Sequence, residues 1–243
     1  MELILKELMV LRGACVRLLG SFTFLLLAFM MTPIAQSVIV RMQGDLVPQG
    51  VALVGLTPFD PFLAQATVAA ALAMLLVGPL LLIEVWRYVS PGLYPDERRA
   101  LGQLLWWGSA LFVLGTWFSY AFIIPATFAG LYAFTPAGLQ SFFSLRDLVS
   151  LVCGMTVATG FLFELPVMMM VLVRIGLLSH SFWGRYWRHA VLITVAVSAV
   201  VTPDGSGISM MLLSLPVCAL YGAGWVGSGV MARHRAELLT NAH

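Results

Sequence analysis

The chain has 243 residues, of which 60% are apolar and only 10% are charged, and its mean hydropathy is +0.96. Soluble domains carry about 25% charged residues, so this composition excludes a water-soluble globular protein and predicts an all-α integral membrane protein. At about 20 residues per span the chain holds at most roughly six or seven transmembrane helices, with no space for a soluble enzyme domain. The net charge of +2 lacks the basic clustering of a nucleic-acid-binding protein, so we expect no nucleic-acid partner.

The predicted elements begin with an amphipathic segment over residues 1–17, which carries charged and apolar side chains at helical spacing and is expected on the cytoplasmic surface. A first span is predicted at 18–40, and a loop rich in glycine and proline at 41–61. Five further spans and a cytoplasmic polar tail are predicted at 62–86, 101–131, 148–173, 190–201, 208–231 and 232–243. The fifth span is short for a hydrocarbon core of about 30 Å. We interpret residues 1–243 as a single six-span membrane domain.

The distribution of cations predicts the orientation of these spans. With both termini inside, eleven of the thirteen Lys and Arg residues lie on the inner side, and only Arg41 and Arg146 lie outside. Cytoplasmic loops carry such an excess of cations. We therefore expect a multi-pass protein of the cytoplasmic (inner) membrane with both termini in the cytoplasm.

No catalytic or metal-binding motif is present in the sequence. The four histidines fall in predicted inner loops or in the tail, and the three cysteines are far apart without a CxxC pair. We therefore predict that the protein is not an enzyme, and that it has no metal site and no cofactor.

Two acids lie within apolar runs, where a carboxyl group is costly and by default marks function. Glu84 is near the inner end of the second span, where it can snorkel or pair with Arg87 or Arg98. Glu164 is deeper, in the fourth span. Pro166 follows two residues later and predicts a kink that opens a polar notch beside the acid. The functional interpretation is favoured for Glu164, whereas a structural role is favoured for Glu84.

Prolines and small residues predict a bent, closely packed bundle. Four spans contain an internal proline, namely Pro79, Pro125, Pro166 and Pro216, and repeated kinks give a bundle of few helices a concave face. The small residues of GAGWVGSG at 222–229 allow helices to approach closely, and we expect a packing seam within the protein rather than a partner site.

The tract from Glu84 to Arg99 (EVWRYVSPGLYPDERR) ends in an acid pair, Asp96 and Glu97. Neighbouring carboxylates at a membrane surface suit neighbouring arginines, because a guanidinium binds a carboxylate through two hydrogen bonds. The simpler alternative is that the two acids begin the next helix, where they favour its dipole.

This tract resembles the signature of the TatC family, the multispanning receptor of the twin-arginine protein translocase. The matching positions of the tract are Trp86, Tyr88, Pro91, Gly92, Leu93, Tyr94, Glu97 and Arg98. A second motif of the family, in the fourth span, matches Gly160, Phe163, Glu164, Pro166 and Val167. Weaker matches are Asp60-Pro61-Phe62, Tyr120 with Pro125, and the late turn Thr202-Pro203-Asp204.

The resemblance implies a glove-shaped bundle of six kinked transmembrane helices with short fifth and sixth spans. It implies that Glu97, with Asp96, recognises the paired arginines of signal peptides on folded cargo, and that Tyr88, Leu93, Arg12 and Arg17 belong to the same signal-peptide-binding surface. Glu164, together with Glu84, would make polar contacts with the signal helix or partner helices within the membrane, while Pro91, Pro125, Pro166 and Asp204 shape the kinks and turns. Implied partners are single-span proteins of the TatA and TatB type in an oligomer within the lipid bilayer, driven by the proton-motive force.

The sequence also departs from the family pattern at several positions. The acid of the amino-terminal family motif is missing, Glu84 stands where the family usually has Gln, and Gly222 replaces an acid of the last span. The alternative function is a proton-coupled small-solute transporter with Glu164 and Glu84 as relay acids. The absence of an internal repeat in the sequence disfavours that alternative, and a purely structural scaffold is a third possibility.

Overall fold

The structure is a computed structural model that describes residues 2–47, 52–89, 95–133, 142–202 and 207–241. Within these ranges only the backbone is described for residues 2–11, 52, 85–86, 88–89, 95–101, 142–143 and 233–241. The described part is almost entirely helical. Its ten α-helices are α1 (Glu2–Met31), α2 (Ile34–Leu46), α3 (Asp60–Val89), α4 (Pro95–Phe118), α5 (Ile124–Ala133), α6 (Leu145–Phe163), α7 (Leu165–Arg174), α8 (His180–Arg185), α9 (Trp187–Val201) and α10 (Ile208–Asn241).

Six crossings of a membrane follow from these helices. Five segments are long and apolar enough to span: Arg12–Met31, Asp60–Glu84, Gly102–Ala133, Leu145–Arg174 and Ile208–Ala232. The sixth is α9, whose 15 residues extend about 22 Å. The predicted six-span fold and its short fifth span are thereby confirmed. The last helix, α10, has 34 residues, of which Ile208–Ala232 forms the candidate span, so it extends further than the short sixth span that the resemblance implies.

The first helix differs from its predicted boundaries. α1 runs without interruption from Glu2 to Met31, so residues 1–17 do not form a separate surface helix and the span predicted at 18–40 ends nine residues early. Pro33 explains the early end, because proline has no backbone N–H and disfavours helical geometry in the residue before it. The chain then begins a new helix, α2, inside the region predicted as membrane-spanning and continues it into the predicted loop.

We call the end of the bundle where α1 begins and α10 ends the N/C end. A small cap covers the opposite end. Here α2 buries Ala35, Met42 and Leu46. Two short strands within the predicted loops, β1 (Ala52–Val54) and β2 (Phe142–Ser144), pair in parallel. The cap therefore joins the end of the first predicted span to two predicted loops.

Glycines on three helices receive aromatic rings at the centre of the bundle. The ring of Phe112 on α4 lies where β-carbons on Gly78 of α3 and Gly160 of α6 would be, at 2.6 and 3.1 Å respectively. In return, Phe163 of α6 occupies the space above Gly115 of α4. These contacts hold α3, α4 and α6 close together, with α4 antiparallel to both neighbours.

The small-residue segment of α10 forms the predicted packing seam. A β-carbon on Gly224 would lie 2.8 Å from the Cα of Pro166, and one on Gly227 would lie 2.6 Å from the Sδ of Met170, so α10 runs parallel to α7 at close range. The predicted seam inside the protein is confirmed. α10 continues through the polar tail beyond residue 231 to Asn241, and Pro79 and Pro216 lie within helices that are continuous.

Candidate functional site

Glu164 lies at a break between two helices in the middle of the fourth crossing. α6 ends at Phe163, α7 begins at Leu165, and the backbone N–H of Glu164 bonds to the carbonyl of Phe161 at 3.2 Å. Pro166 accounts for the break because its ring would clash with the carbonyl four residues earlier in a continuous helix. In the first turn of α7 its missing N–H costs nothing. The predicted kink at Pro166 is confirmed.

The Glu164 side chain is buried, with 5% of its surface exposed, and neither carboxyl oxygen has a hydrogen-bond partner in the described part of the chain. Its surroundings are Leu82 of α3, Gly108 of α4 and Val167 of α7. The expected polar notch is therefore absent among the described residues, because the acid lies in an apolar recess. A buried carboxyl group without a partner is costly, so Glu164 is the strongest functional candidate in the described structure.

Gly108 is a site residue that the sequence did not predict. A β-carbon on this glycine would lie 3.1 Å from the Oε2 of Glu164 and 2.8 Å from the Cδ1 of Leu82. The absence of a side chain on α4 thus provides the space that the Glu164 carboxyl group occupies. Glycine is common in membrane helices, and no neighbouring sequence signal distinguishes Gly108 from Gly102, where a β-carbon would meet nothing within 4 Å.

Glu84, in contrast, is fully paired. Its carboxylate accepts two hydrogen bonds from Arg17 of α1, at 2.9 and 2.7 Å, and one from Arg87 at 2.9 Å. The pairing with Arg87 was predicted, whereas the bidentate pairing with Arg17, 67 residues away, was not. The ion pair joins α1 to α3 near the N/C end and satisfies the charges of both groups.

The two membrane acids do not share a site. Leu82 packs toward Gly108 and Glu164, whereas Glu84 faces Arg17 on α1. Residues two apart on a helix point about 200° apart, so α3 separates the two carboxylates. This arrangement does not support the transporter alternative, which requires Glu84 and Glu164 to exchange protons.

The predicted signal-peptide residues lie around the N/C end of the bundle. Tyr88 lies in the last turn of α3, and Asp96 and Glu97 lie in the first turn of α4, as the simpler alternative for the acid pair expected. Only the backbone of these three residues is described, and Leu93, Pro91 and Asp204 lie outside the described residues. Arg12 lies in the exposed part of α1, and Pro125 lies in α5 just after a π-helical turn at Ser119–Ile123.

Arg174 was predicted in a loop, but it is the last residue of α7 and is buried, with 7% of its surface exposed. One guanidinium nitrogen lies 3.2 Å from the Sδ of Met231, and Nε has no partner in the described part of the chain. No feature of the sequence around Arg174 indicates that this side chain is buried. Among the described residues no group of three or more His, Cys, Asp or Glu side chains could hold a metal ion.

Comparison with known proteins agrees with this architecture. The family model "Sec-independent protein translocase protein (TatC)" matches residues 4–216. A protein named "Sec-independent protein translocase protein TatC" from Cenarchaeum symbiosum is 34% identical over 185 residues, which is 76% of this chain and 70% of that protein. The chloroplastic TATC protein of Oryza sativa is 33% identical over 73% of this chain, which spans 50% of that relative's length.

The fold is also that of a solved structure. A crystal structure described as the twin arginine translocase receptor TatC matches with a TM-score of 0.79 and 24% identity, and the match covers 93% of this chain and 99% of that one. The family consists of components of a protein translocase, embedded in a membrane through several helices. The resemblance seen in the sequence motifs is confirmed, and the chain belongs to the TatC family.

Proposed function

We propose that this protein is the receptor and core subunit of a Sec-independent twin-arginine translocase. It binds paired-arginine signal peptides of folded cargo at the cytoplasmic face and assembles with single-span partners of the TatA and TatB type for export driven by the proton-motive force. It carries out no catalysis and uses no cofactor. Residues 1–243 act as one membrane domain in the cytoplasmic (inner) membrane, with both termini inside.

The positions of two acids relative to α4, Glu97 within this helix and Glu164 packed against it, support this proposal. Glu97 lies in the first turn of α4, and its register matches that of Leu104 and Gly108, seven and eleven residues further along the same stripe. Gly108 is the residue that receives the Glu164 carboxyl group. Eleven helical residues extend about 16 Å, so the two acids are separated by a length suited to an arginine pair followed by a short apolar helix.

The two acids then have different roles. Glu97, with Asp96 beside it, binds guanidinium groups at the surface, where carboxylate–arginine pairing is strong and directional. Glu164 contacts the apolar signal helix or a partner helix within the membrane, where an unpaired carboxyl group gains from any hydrogen-bond donor that reaches it. Arg12, Arg17, Tyr88 and Leu93 belong to the surface part of the same site. Of these, Arg17 also holds Glu84.

Site-specific crosslinking of a twin-arginine signal peptide tests the surface role. We expect Glu97→Lys to abolish crosslinking, because it replaces the binding carboxylate by a like charge, while the protein still inserts into the membrane. A peptide with both arginines changed to glutamine is the control and should fail to crosslink to the unmodified protein. Unchanged crosslinking to the Glu97→Lys variant would contradict the proposal.

A further inference from the structure

The Glu164 carboxyl group occupies a recess that another helix provides. Gly108 of α4 contributes the open space, Leu82 of α3 and Val167 of α7 form its apolar walls, and no described donor reaches either carboxyl oxygen. The three helices are fixed independently of this contact, because the Phe112 ring is held between Gly78 and Gly160 and the Phe163 ring lies above Gly115. The recess is therefore a preformed feature of the bundle.

We propose that Gly108 is a positioning residue for Glu164. The missing side chain leaves the space in which the carboxyl group lies turned inward, against α4, until a ligand helix engages it. Any β-carbon at position 108 would lie 3.1 Å from Oε2, a spacing at which the carboxyl group must move. This inference rests on the proposed function of Glu164 and adds the residue that determines where its carboxyl group lies.

The nearby Leu82 side chain complicates a simple substitution. A β-carbon on Gly108 would also lie 2.8 Å from the Cδ1 of Leu82 and 3.3 Å from the Cγ1 of Val167, so Gly108→Ala disturbs three neighbours at once. Leu82→Val removes Cδ1 and relieves the closest of these contacts. The double variant Gly108→Ala with Leu82→Val therefore leaves the looser approach to Val167 and the approach to Glu164.

Labelling of Glu164 by dicyclohexylcarbodiimide, quantified by mass spectrometry in mild detergent without cargo, measures the access of an apolar reagent to the carboxyl group. We expect about a fivefold faster labelling in the double variant than in Leu82→Val alone, because displacement from a preferred rotamer shifts populations by about that factor. The rate should rise further with Gly108→Val in place of Gly108→Ala. Gly102→Ala is the matched control on α4 and should leave the rate unchanged.

Equal labelling of the double variant and Leu82→Val would overturn the proposal. If labelling increases, crosslinking of the signal helix at a position beside Glu164 gives the second measurement, and we expect it to decrease. Increased labelling with unchanged helix crosslinking would support the positioning role of Gly108 and contradict the proposed role of Glu164. The two failures are therefore distinguishable.

Discussion

The two carboxyl groups within apolar helical segments differ in their hydrogen bonding. Glu84 accepts three hydrogen bonds from two arginines, whereas Glu164 has no partner among the described residues. A paired charge in a membrane helix is an adequate structural contact, while an unpaired buried carboxyl group is retained at a cost. The difference assigns a structural role to Glu84 and leaves Glu164 as the acid available to a ligand.

The Arg17–Glu84 pair should make a modest contribution to stability. The Arg17 side chain is 51% exposed, so solvent and salt screen the interaction, and we expect Glu84→Gln to lower the free energy of unfolding by about 1 kcal/mol or less. Thermal unfolding in mild detergent of Glu84→Gln, Arg17→Gln and the double variant gives a double-mutant cycle, which measures the coupling energy between the two side chains. Arg12→Gln, on the same helix, should show no coupling to Glu84→Gln. Strict additivity of Arg17→Gln and Glu84→Gln would contradict the pairing.

At single positions, the chemical role of a side chain was easier to predict from the sequence than the identity of the residues that contact it. The cost of a carboxyl group in hydrocarbon identified Glu84 and Glu164, and the position of Glu84 near the inner end of its span made Arg87 one of its two expected partners. Arg17 and Gly108 were not assigned to these acids because their contacts join residues on different helices, and no local spacing encodes them. The burial of Arg174 depends on α10 in the same way.

Helices α7 and α10 illustrate how glycine position determines packing. On α10, a β-carbon on Gly224 would approach the backbone of Pro166 to 2.8 Å, whereas one on Gly222 would meet nothing within 4 Å. Backbone cannot move aside as a flexible side chain can. Two glycines separated by a single residue therefore have different structural roles.

We expect Gly224→Ala to destabilise the protein by about 1–3 kcal/mol, because overpacking forces the two helices apart. Gly222→Ala should be neutral or should stabilise the helix by up to about 1 kcal/mol. Thermal unfolding of the two variants in the same detergent gives the comparison. A similar loss in both would show that the α7–α10 seam does not depend on close approach at Gly224.

Element boundaries were predictable where apolar runs ended in charged or turn-forming residues, as at the start of α3 and of α10. The predicted boundary was wrong at Pro33, which ends α1 within an apolar run. Pro79 and Pro216, in contrast, lie inside continuous helices, as the predicted spans had them. The effect of a membrane proline depends on whether neighbouring helices satisfy the freed carbonyl group. A single sequence does not contain the information on those contacts.

For the molecule as a whole, an even number of crossings places both termini on one side of the membrane. We expect a carboxy-terminal fluorescent protein fusion to fluoresce and a carboxy-terminal alkaline phosphatase fusion to be inactive, because eleven of thirteen cations lie on the inner side in this orientation. Fusions after residue 140, in an expected outer loop, should give the opposite result. An active phosphatase at the carboxy terminus would contradict the cytoplasmic orientation.

The short helix α9 has a consequence for the surrounding lipid. Its 15 residues extend about 22 Å, against a hydrocarbon core of about 30 Å. Trp187, with Arg188 stacked 5.6 Å above its ring, anchors one end at a headgroup layer. We expect the far end to fall short of the opposite headgroups, and a bilayer that thins beside the helix would present polar groups with a lower electrostatic barrier along α9 than along the longer candidate spans.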